Sequence, residues 1–421
     1  MAPEDVESVE GFRLRARAWL AEHMPPLDPD APPFSVVTVT EEQARRSREL
    51  QRLLYEGGFA GIAFPKEYGG LGLTAEHQRA FTQESRPHEM PLVLNLPTLT
   101  ILAPTLLDAG TEEQKLRHIP AMLRGEELWV QFLSEPTGGS DLAGVLTRAD
   151  RDGDSWVLNG AKTWSSYAMF SDYALCLART DWDVPKHDGL TMFIVKIHQP
   201  GITVEWIRQS NGARDFCQEF FDDVVLPASS VVGEVGGGWK VASQLMVHER
   251  MTVGGASPYA SGRAEQRADR PGHDLAAAVR GRRRGGDPRL AQLVGEMEER
   301  TTVHRQLVAR VATGLATGTL PPPAGALMRL SAAEAGLAGA DIALEATGVD
   351  AVVWPADHPD RGPGEAYVFR QAAALGGGSA EMQRNIISER LLGMPREPAA
   401  DRDRPFREVR RTRASRDESP G

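Results

Sequence analysis

The 421-residue sequence predicts an α+β fold laid out in the order helices, strands, helices. Three observations carry that expectation. Apolar residues recur at helical spacing through about the first 125 residues. From Leu128 onward the chain turns to short segments rich in Val, Ile, Trp, Tyr and Thr, separated by turn residues. After GEVGGGWK the helical period returns over long stretches. The expected division is an N-terminal α-helical domain over 1–126, a middle β domain over 127–234, a C-terminal α-helical bundle over 235–396 and a flexible tail over 397–421.

In the first domain, TEEQARRSRELQRLLYEG predicts a helix from Thr40 to Gly57, with Thr40 as N-cap and Leu50, Leu53 and Leu54 at core spacing. FPKEYGGLGLT breaks the pattern through Pro65, Gly69, Gly70 and Gly72. Further helices are expected over 75–84 and 98–107, and again after Thr111, which precedes two acids. In the middle domain WVQFL, SWVLNGAKTW, YALCLAR, LTMFIVKI and ITVEWI read as strands, with Asn159-Gly160 as the turn of a hairpin. In the last domain PRLAQLVGEMEERTTVHRQLVARVATG puts Leu290, Leu293, Val294, Met297, Leu307, Val308, Val311 and Leu315 on one face, as a bundle helix requires. Prolines 321 to 323 separate it from an Ala/Leu-rich helix ending at Thr347-Gly348. From Glu397 the chain is charged and proline-containing and reads as a frayed tail.

Composition narrows the classes of function. Hydrophobic residues at 41% and charged residues at 25% are globular values, so disorder is not expected. A net charge of -11 argues against a nucleic-acid partner. Cys176 and Cys217 are too few and too separated for a disulfide framework or a cysteine metal site, so no metal is expected and a reducing, cytoplasmic setting is. The start, MAPEDVESVEGFRLRARAWL, lacks the basic and apolar regions of a secretion signal, and no run reaches the roughly 20 apolar residues of a membrane span.

Four stretches carry candidate chemistry. QFLSEPTGGSDLAG, from Gln131 to Gly144, ends an apolar strand in a glycine- and hydroxyl-rich turn, where backbone N–H groups can approach a polar ligand; an ordinary β-turn has the same look. Trp164 and Ser166 are two apart in a strand and so are expected on one face; Trp164 taken alone reads as core. On the helix after GEVGGGWK, Val241, Leu245, Glu249 and Val253 follow at i, i+4 spacing, which sets a carboxylate in an apolar row. Desolvation there raises a carboxyl pKa towards neutrality and suits a general base; an ion pair with an arginine is the alternative. His248 is taken as solvent-facing or as a substrate-side neighbour, because i and i+1 diverge around a helix. Near the end, ALGGGSAEMQRN offers three glycines before a helical run, a pattern that suits an anion-binding turn.

The order SEP-x-GGSD, TRA, WVLNGAKTW, then FDDVVLP, GEVGGGW and a helix bearing Glu-Arg resembles the flavin-dependent acyl-CoA dehydrogenases over about residues 41–397. That resemblance implies an N-terminal helical domain, a middle β-barrel domain and a C-terminal helical bundle. It implies FAD along Leu133, Ser134, Ser140, Trp164, Ser166, Ser379 and Glu381, and substrate beside Ser140, Val247, Arg250, Gly377 and Gly378. Many members carry their catalytic glutamate where this chain has Gly377; the isovaleryl and long-chain branches carry it on the earlier helix, where this chain has Glu249 before Arg250. The resemblance therefore implies that Glu249 removes the α-proton of an acyl-CoA, with an electron-transfer flavoprotein as electron acceptor.

Two departures stand beside it. The family's Arg-x-x-Phe-Gly is replaced by GRAEQRADRPGHDLAAAVRGRRRGGD, in which Arg280, Arg282, Arg283 and Arg284 read as a phosphate clamp or a solvated loop. The usual Gln-x-x-Gly-Gly is reduced to EATGVD, with only Gly348 in place. These losses are most similar to the actinobacterial branch acting on bulky or steroid side-chain thioesters, some of whose members are hetero-oligomers of homologous subunits; others are homo-oligomers. The alternatives are a non-catalytic partner subunit, or the same fold acting on a carrier-protein-bound acyl chain or a nitroalkane.

Overall fold

A computed structural model describes residues 6–27, 39–91, 95–210, 212–253, 257–259, 287–353, 362–399 and 401–409. The Arg280–Arg284 cluster lies outside the described residues. The first helices are α1 (Val9–His23), α2 (Glu41–Glu56) and α3 (Ala75–Glu84). Thr40 caps α2 as expected, its hydroxyl accepting from Gln43 N while the Gln43 side chain accepts from Thr40 N, so two orphan donors are satisfied reciprocally. Phe12, Leu20, Leu50, Leu54, Phe59 and Phe81 pack between these helices.

The helix expected over 98–107 begins at α4 (Asn95–Pro97), widens into a π segment (Thr98–Leu102) and resumes as α5 (Ala103–Ala109), followed by α6 (Glu112–Leu123). The widening sits just before Pro104, a residue with no N–H to donate back along the helix. Thr98 in the widened turn ties this layer to the sheet: its hydroxyl accepts from Trp129 N at 2.8 Å and donates to Trp129 O at 3.2 Å.

The middle strands are β1 (Trp129–Phe132), β2 (Arg148–Asp152), β3 (Ser155–Ser166), β4 (Tyr173–Arg179), β5 (Leu190–Lys196), β6 (Ile202–Trp206), β7 (Phe216–Pro227) and β8 (Val231–Val232). They form one mixed sheet in the order β6-β7-β3-β2-β4-β5-β8, with β1 parallel to β4. In hydrogen-bond terms the expected barrel is therefore a path whose ends are β6 and β8.

The hairpin turn is not at Asn159-Gly160. β3 runs straight through those residues, and the reversal is made at Gly153, with φ +56, between β2 and β3. Asn159 is held by Asp223, donating from Nδ2 at 2.9 Å and accepting from Asp223 N at 3.0 Å. Gly160 is required for a different reason, since a Cβ there would lie 2.7 Å from Thr147 Cα. An Asn-Gly pair signals a hairpin only when its side chain is not already committed across the sheet.

The C-terminal helices are α7 (Gly238–Val253), α8 (Pro288–Ala316), α9 (Gly325–Thr347), α10 (Gly362–Phe369) and α11 (Ala380–Ile386). The predicted face of α8 splits into two clusters: Leu290 and Leu293 meet Ile342 and Ala346 of α9, while Val311 meets Met328. The start of α7 lies against β5. A Cβ on Gly238 would lie 2.6 Å from Thr191 backbone atoms, and Gly236 N donates to Thr191 Oγ1 at 2.9 Å. Glycine is what lets the helix begin there, with Val241, Ala242 and Leu245 buried below.

The expected tail needs correction. Residues 401–409 dock on the loop between β4 and β5: Phe406 N donates to Val184 O, Arg407 N to Trp182 O, and Lys186 bridges Asp141 and Asp401. Phe406 is 5% exposed, with the Arg179 guanidinium 3.7 Å from its ring centre. A charged, proline-bearing composition concealed this because the docking depends on one aromatic and on backbone pairing.

Candidate active site

Glu249 lies in the last turns of α7, in the row begun by Val241 and Leu245. Its carboxylate oxygen Oε1 comes 3.9 Å from where a Cβ on Gly377 would stand. The glutamate of the helix and the vacant loop position therefore face the same point. Burial pushes the Glu249 carboxyl up from the usual range, opposed by a hydrogen bond with Gln131 and by the charges of Arg250 and Arg329. Arg250 is half-buried, and burial draws its guanidinium down, with Glu249 opposing and Arg390 adding to the effect. His248 is not solvent-facing: Nε2 meets Asp108 Oδ2 at 2.8 Å, so it tethers α7 to α5. Its exposed-looking place in the sequence gave no sign of a partner 140 residues away.

The glycine loop meets α7 through α9. Gly377 and Gly378 have φ of +70 and +91, conformations that only glycine adopts without strain. Arg329, 7% exposed on α9, donates from Nε to Gly376 O at 3.0 Å and from Nη2 to Ala373 O at 2.6 Å, with a further bond from Nη2 to Gly376 O. Gln383 Nε2 donates to Gly378 O at 3.2 Å. Ser379 caps α11 by accepting from Met382 N, and Glu381 is exposed beside it, held down by its own backbone N–H and the Ser379 hydroxyl.

On the sheet side, Leu133 is buried and Ser134 O accepts from Thr163 N at 3.0 Å, which brings the SEPTGGSD loop against β3 immediately before Trp164. Beneath it Lys162, wholly buried, donates to Leu133 O and to Glu135 Oε1, both at 2.9 Å. Glu135 also accepts from Leu146 N and Thr147 N, so one carboxylate holds both ends of the loop. The expected alternation of Trp164 and Ser166 is interrupted by a bulge: the register shifts between Thr163 and Ser165, and Trp164 has φ +66. Trp164 is consequently 56% exposed, its edge against Phe216, while Ser166 pairs opposite Phe216 in the ladder.

These residues fit a flavin. A large aromatic face is presented to solvent at Trp164, and the buried amide oxygens of Gln131 and Gln383 have no donor among the described residues. An aromatic ligand with N–H and hydroxyl donors would satisfy both features. Glu249, Arg250 and Gly377 are thus brought together, and Leu133, Ser134 and Trp164 form a second group. Ser140 and Val247 are exposed. Among the described residues no hydrogen bond ties Ser140, Val247, Ser379 or Glu381 to Glu249. Gln131 and Arg329 were not singled out from sequence. A lone arginine in the Ala/Leu-rich run GALMRLSAAEAGLAGA was the available signal, since a buried charge in such a row demands a partner.

Models of the acyl-CoA dehydrogenase N-terminal, middle and C-terminal domains match residues 7–126, 131–224 and 236–392. The acyl-CoA dehydrogenase IpdE1 of Mycobacterium tuberculosis (strain ATCC 25618 / H37Rv) is 33% identical over 404 residues, 93% of this chain and 99% of that protein. A solved structure of the Tcur3481-Tcur3483 steroid ACAD superposes with a TM-score of 0.75 at 26% identity, covering 94% of this chain and 100% of that one. The ChsE4-ChsE5 complex from Mycobacterium tuberculosis shares the fold, with a TM-score of 0.71 at 24% identity over 94% of this chain and 100% of that one.

Proposed function

The chain belongs to the acyl-CoA dehydrogenase family, a flavin-dependent class of oxidoreductases, and from that premise we propose that Glu249 is the base that removes the α-proton of an acyl-CoA on its way to the 2-enoyl-CoA. The observation that carries the reading is the approach of Glu249 Oε1 to Gly377, the place where many relatives bear the same carboxylate on the loop. Leu133, Ser134 and Trp164 would hold FAD, which when bound would supply the acceptor for the hydride that leaves Cβ. Glu249 takes and holds the proton at its carboxylate. Its half-buried setting, raised by desolvation and tempered by Gln131, Arg250 and Arg329, suits a base that must be ionised before turnover and neutral after it. The open backbone at Gly377 and Gly378 leaves N–H groups free of side-chain bulk beside the thioester, where developing negative charge needs donors. Ser140, Val247 and Arg250 line the substrate side, and Ser166, Ser379 and Glu381 the cofactor side, in this reading.

The substrate class is a CoA thioester of a bulky acid, supported by the likeness to the steroid ACAD; an electron-transfer flavoprotein receives the electrons. Glu249→Gln is expected to lower turnover by about 10³-fold or more while the purified protein stays yellow. Wild-type turnover in that variant sinks the assignment. A second reading, assembly with a homologous subunit, is favoured by the two-component name of the same neighbour and by the missing Arg-x-x-Phe-Gly. Flavin content per chain, measured with and without a co-expressed homologue, separates the two.

A further inference from the structure

We propose that Arg329 is a positioning residue for the reaction, holding the glycine loop and the Glu249 carboxylate in register from a third element of the fold. The inference rests on Glu249 being the base.

Arg329 stands on a helix whose other buried residues are Ala326, Met328, Ala333, Ala340, Ile342 and Ala346, and there a buried guanidinium is costly unless its donors are met and its charge is opposed. Its donors are met by the loop. Nε and Nη2 reach two carbonyls, those of Gly376 and Ala373, which spans the turn immediately before Gly377. A lysine ammonium, a point donor on a flexible stem, does not reproduce that fork. The charge of Arg329 is opposed by Glu249, the one carboxylate that acts on it among the described residues, across a gap too wide for an ion pair. The same spot beside Gly377 is flanked by Arg329 Nε at 3.3 Å and by Glu249 Oε1 at 3.9 Å from the Cβ that glycine lacks. Arginine and glutamate thus share the space that a loop carboxylate would fill in a relative built the other way.

Other charges near Glu249 do different work. Arg250 is on its own helix and faces Arg390 as well. From α5, Asp108 is engaged by His248. From β1, Gln131 is neutral. Among the described residues Arg329 is the one that both bonds the loop and acts on Glu249. Without it, burial acts on Glu249 against one cation fewer, and a larger fraction of the enzyme holds the base protonated at a given pH.

The experiment compares flavin-loaded wild type, Arg329→Gln, Arg329→Lys and Glu249→Gln, reading kcat, the pH dependence of kcat/KM and amide hydrogen exchange over residues 373–379. For Arg329→Gln the expectation is a kcat lower by about 10- to 100-fold, an acid limb moved to higher pH, and faster exchange in the loop. Arg329→Lys should keep the acid limb near its wild-type place while kcat stays reduced and exchange stays fast. A Gln variant with a wild-type acid limb and wild-type exchange overturns the proposal. If that variant does not yield flavin-loaded protein, the Lys variant decides, and wild-type kcat and exchange in it overturn the proposal equally. Glu249→Gln separates the levels: an active Glu249→Gln removes the base assignment itself, whereas an inactive one beside an unaffected Arg329→Gln removes only the role of Arg329.

Discussion

Glu219 is wholly buried on β7, with Ser165 donating to one carboxylate oxygen and no hydrogen-bond donor among the described residues meeting the other. Burial pushes its pKa up to about 8, with Ser165 and Lys162 opposing. Folding therefore keeps this carboxyl protonated through a range in which the unfolded chain ionises. Below the ordinary glutamate range both states hold the proton and the group costs nothing. As pH rises from there to about 8, stability falls by about 1.4 kcal/mol per pH unit from this residue, then levels off. Glu219→Gln should flatten that part of the curve, so that its melting temperature overtakes wild type between pH 5 and pH 9; parallel curves would show that Glu219 titrates normally. Cys176 and Cys217 are likewise pushed up to about 12 by burial, which makes them inert packing residues.

At the scale of elements, α7 decides where Glu249 stands, and its start is set by one glycine. Gly238→Ala would force a methyl to within 2.6 Å of Thr191 backbone, so α7 or β5 must shift. We expect a loss of about 2 kcal/mol, the usual range for overpacking, read by urea denaturation, together with reduced turnover because Glu249 moves with the helix. Unchanged stability and activity would mean that α7 is placed by its other neighbours. Elements of this kind were legible from sequence where the cause is local. Capping at Thr40 and Thr111, the apolar faces of α2 and α8, and the Val241-Leu245-Glu249 row all follow from residues a few positions apart. What was not legible depends on contacts far along the chain: Asn159 engaged by Asp223, the bulge that turns Trp164 outward, His248 bound to Asp108, and Arg329 reaching the glycine loop. Periodicity reports which face of an element is apolar and says nothing of which partner covers it.

At the scale of the molecule, the C-terminal segment returns to the middle of the fold. Residues 401–409 lie past the end of the matched family domain at 392 and cover the loop between β4 and β5. Phe406 and Val409 close one wall of a cavity of about 150 Å³ whose other walls include Glu135, Gly138 and Asp141 of the SEPTGGSD loop. Arg179 beneath Phe406 donates to Ala143 O and Val145 O, so the stacked ring backs the same loop. Phe406→Ala should cost about 3 kcal/mol in chemical denaturation and should weaken flavin retention on dilution. A variant with wild-type stability would show that the segment only rests on the surface.

The carboxylate on α7 has one more consequence. A side chain carried in a packed rod is delivered by the rod, and Glu249 is carried in that way by α7. On the proposed reading the 373–378 connection is thereby released from bearing the reactive group, and its clamped glycine backbone is left with a single task, to stay narrow enough for an acyl chain to pass beside it.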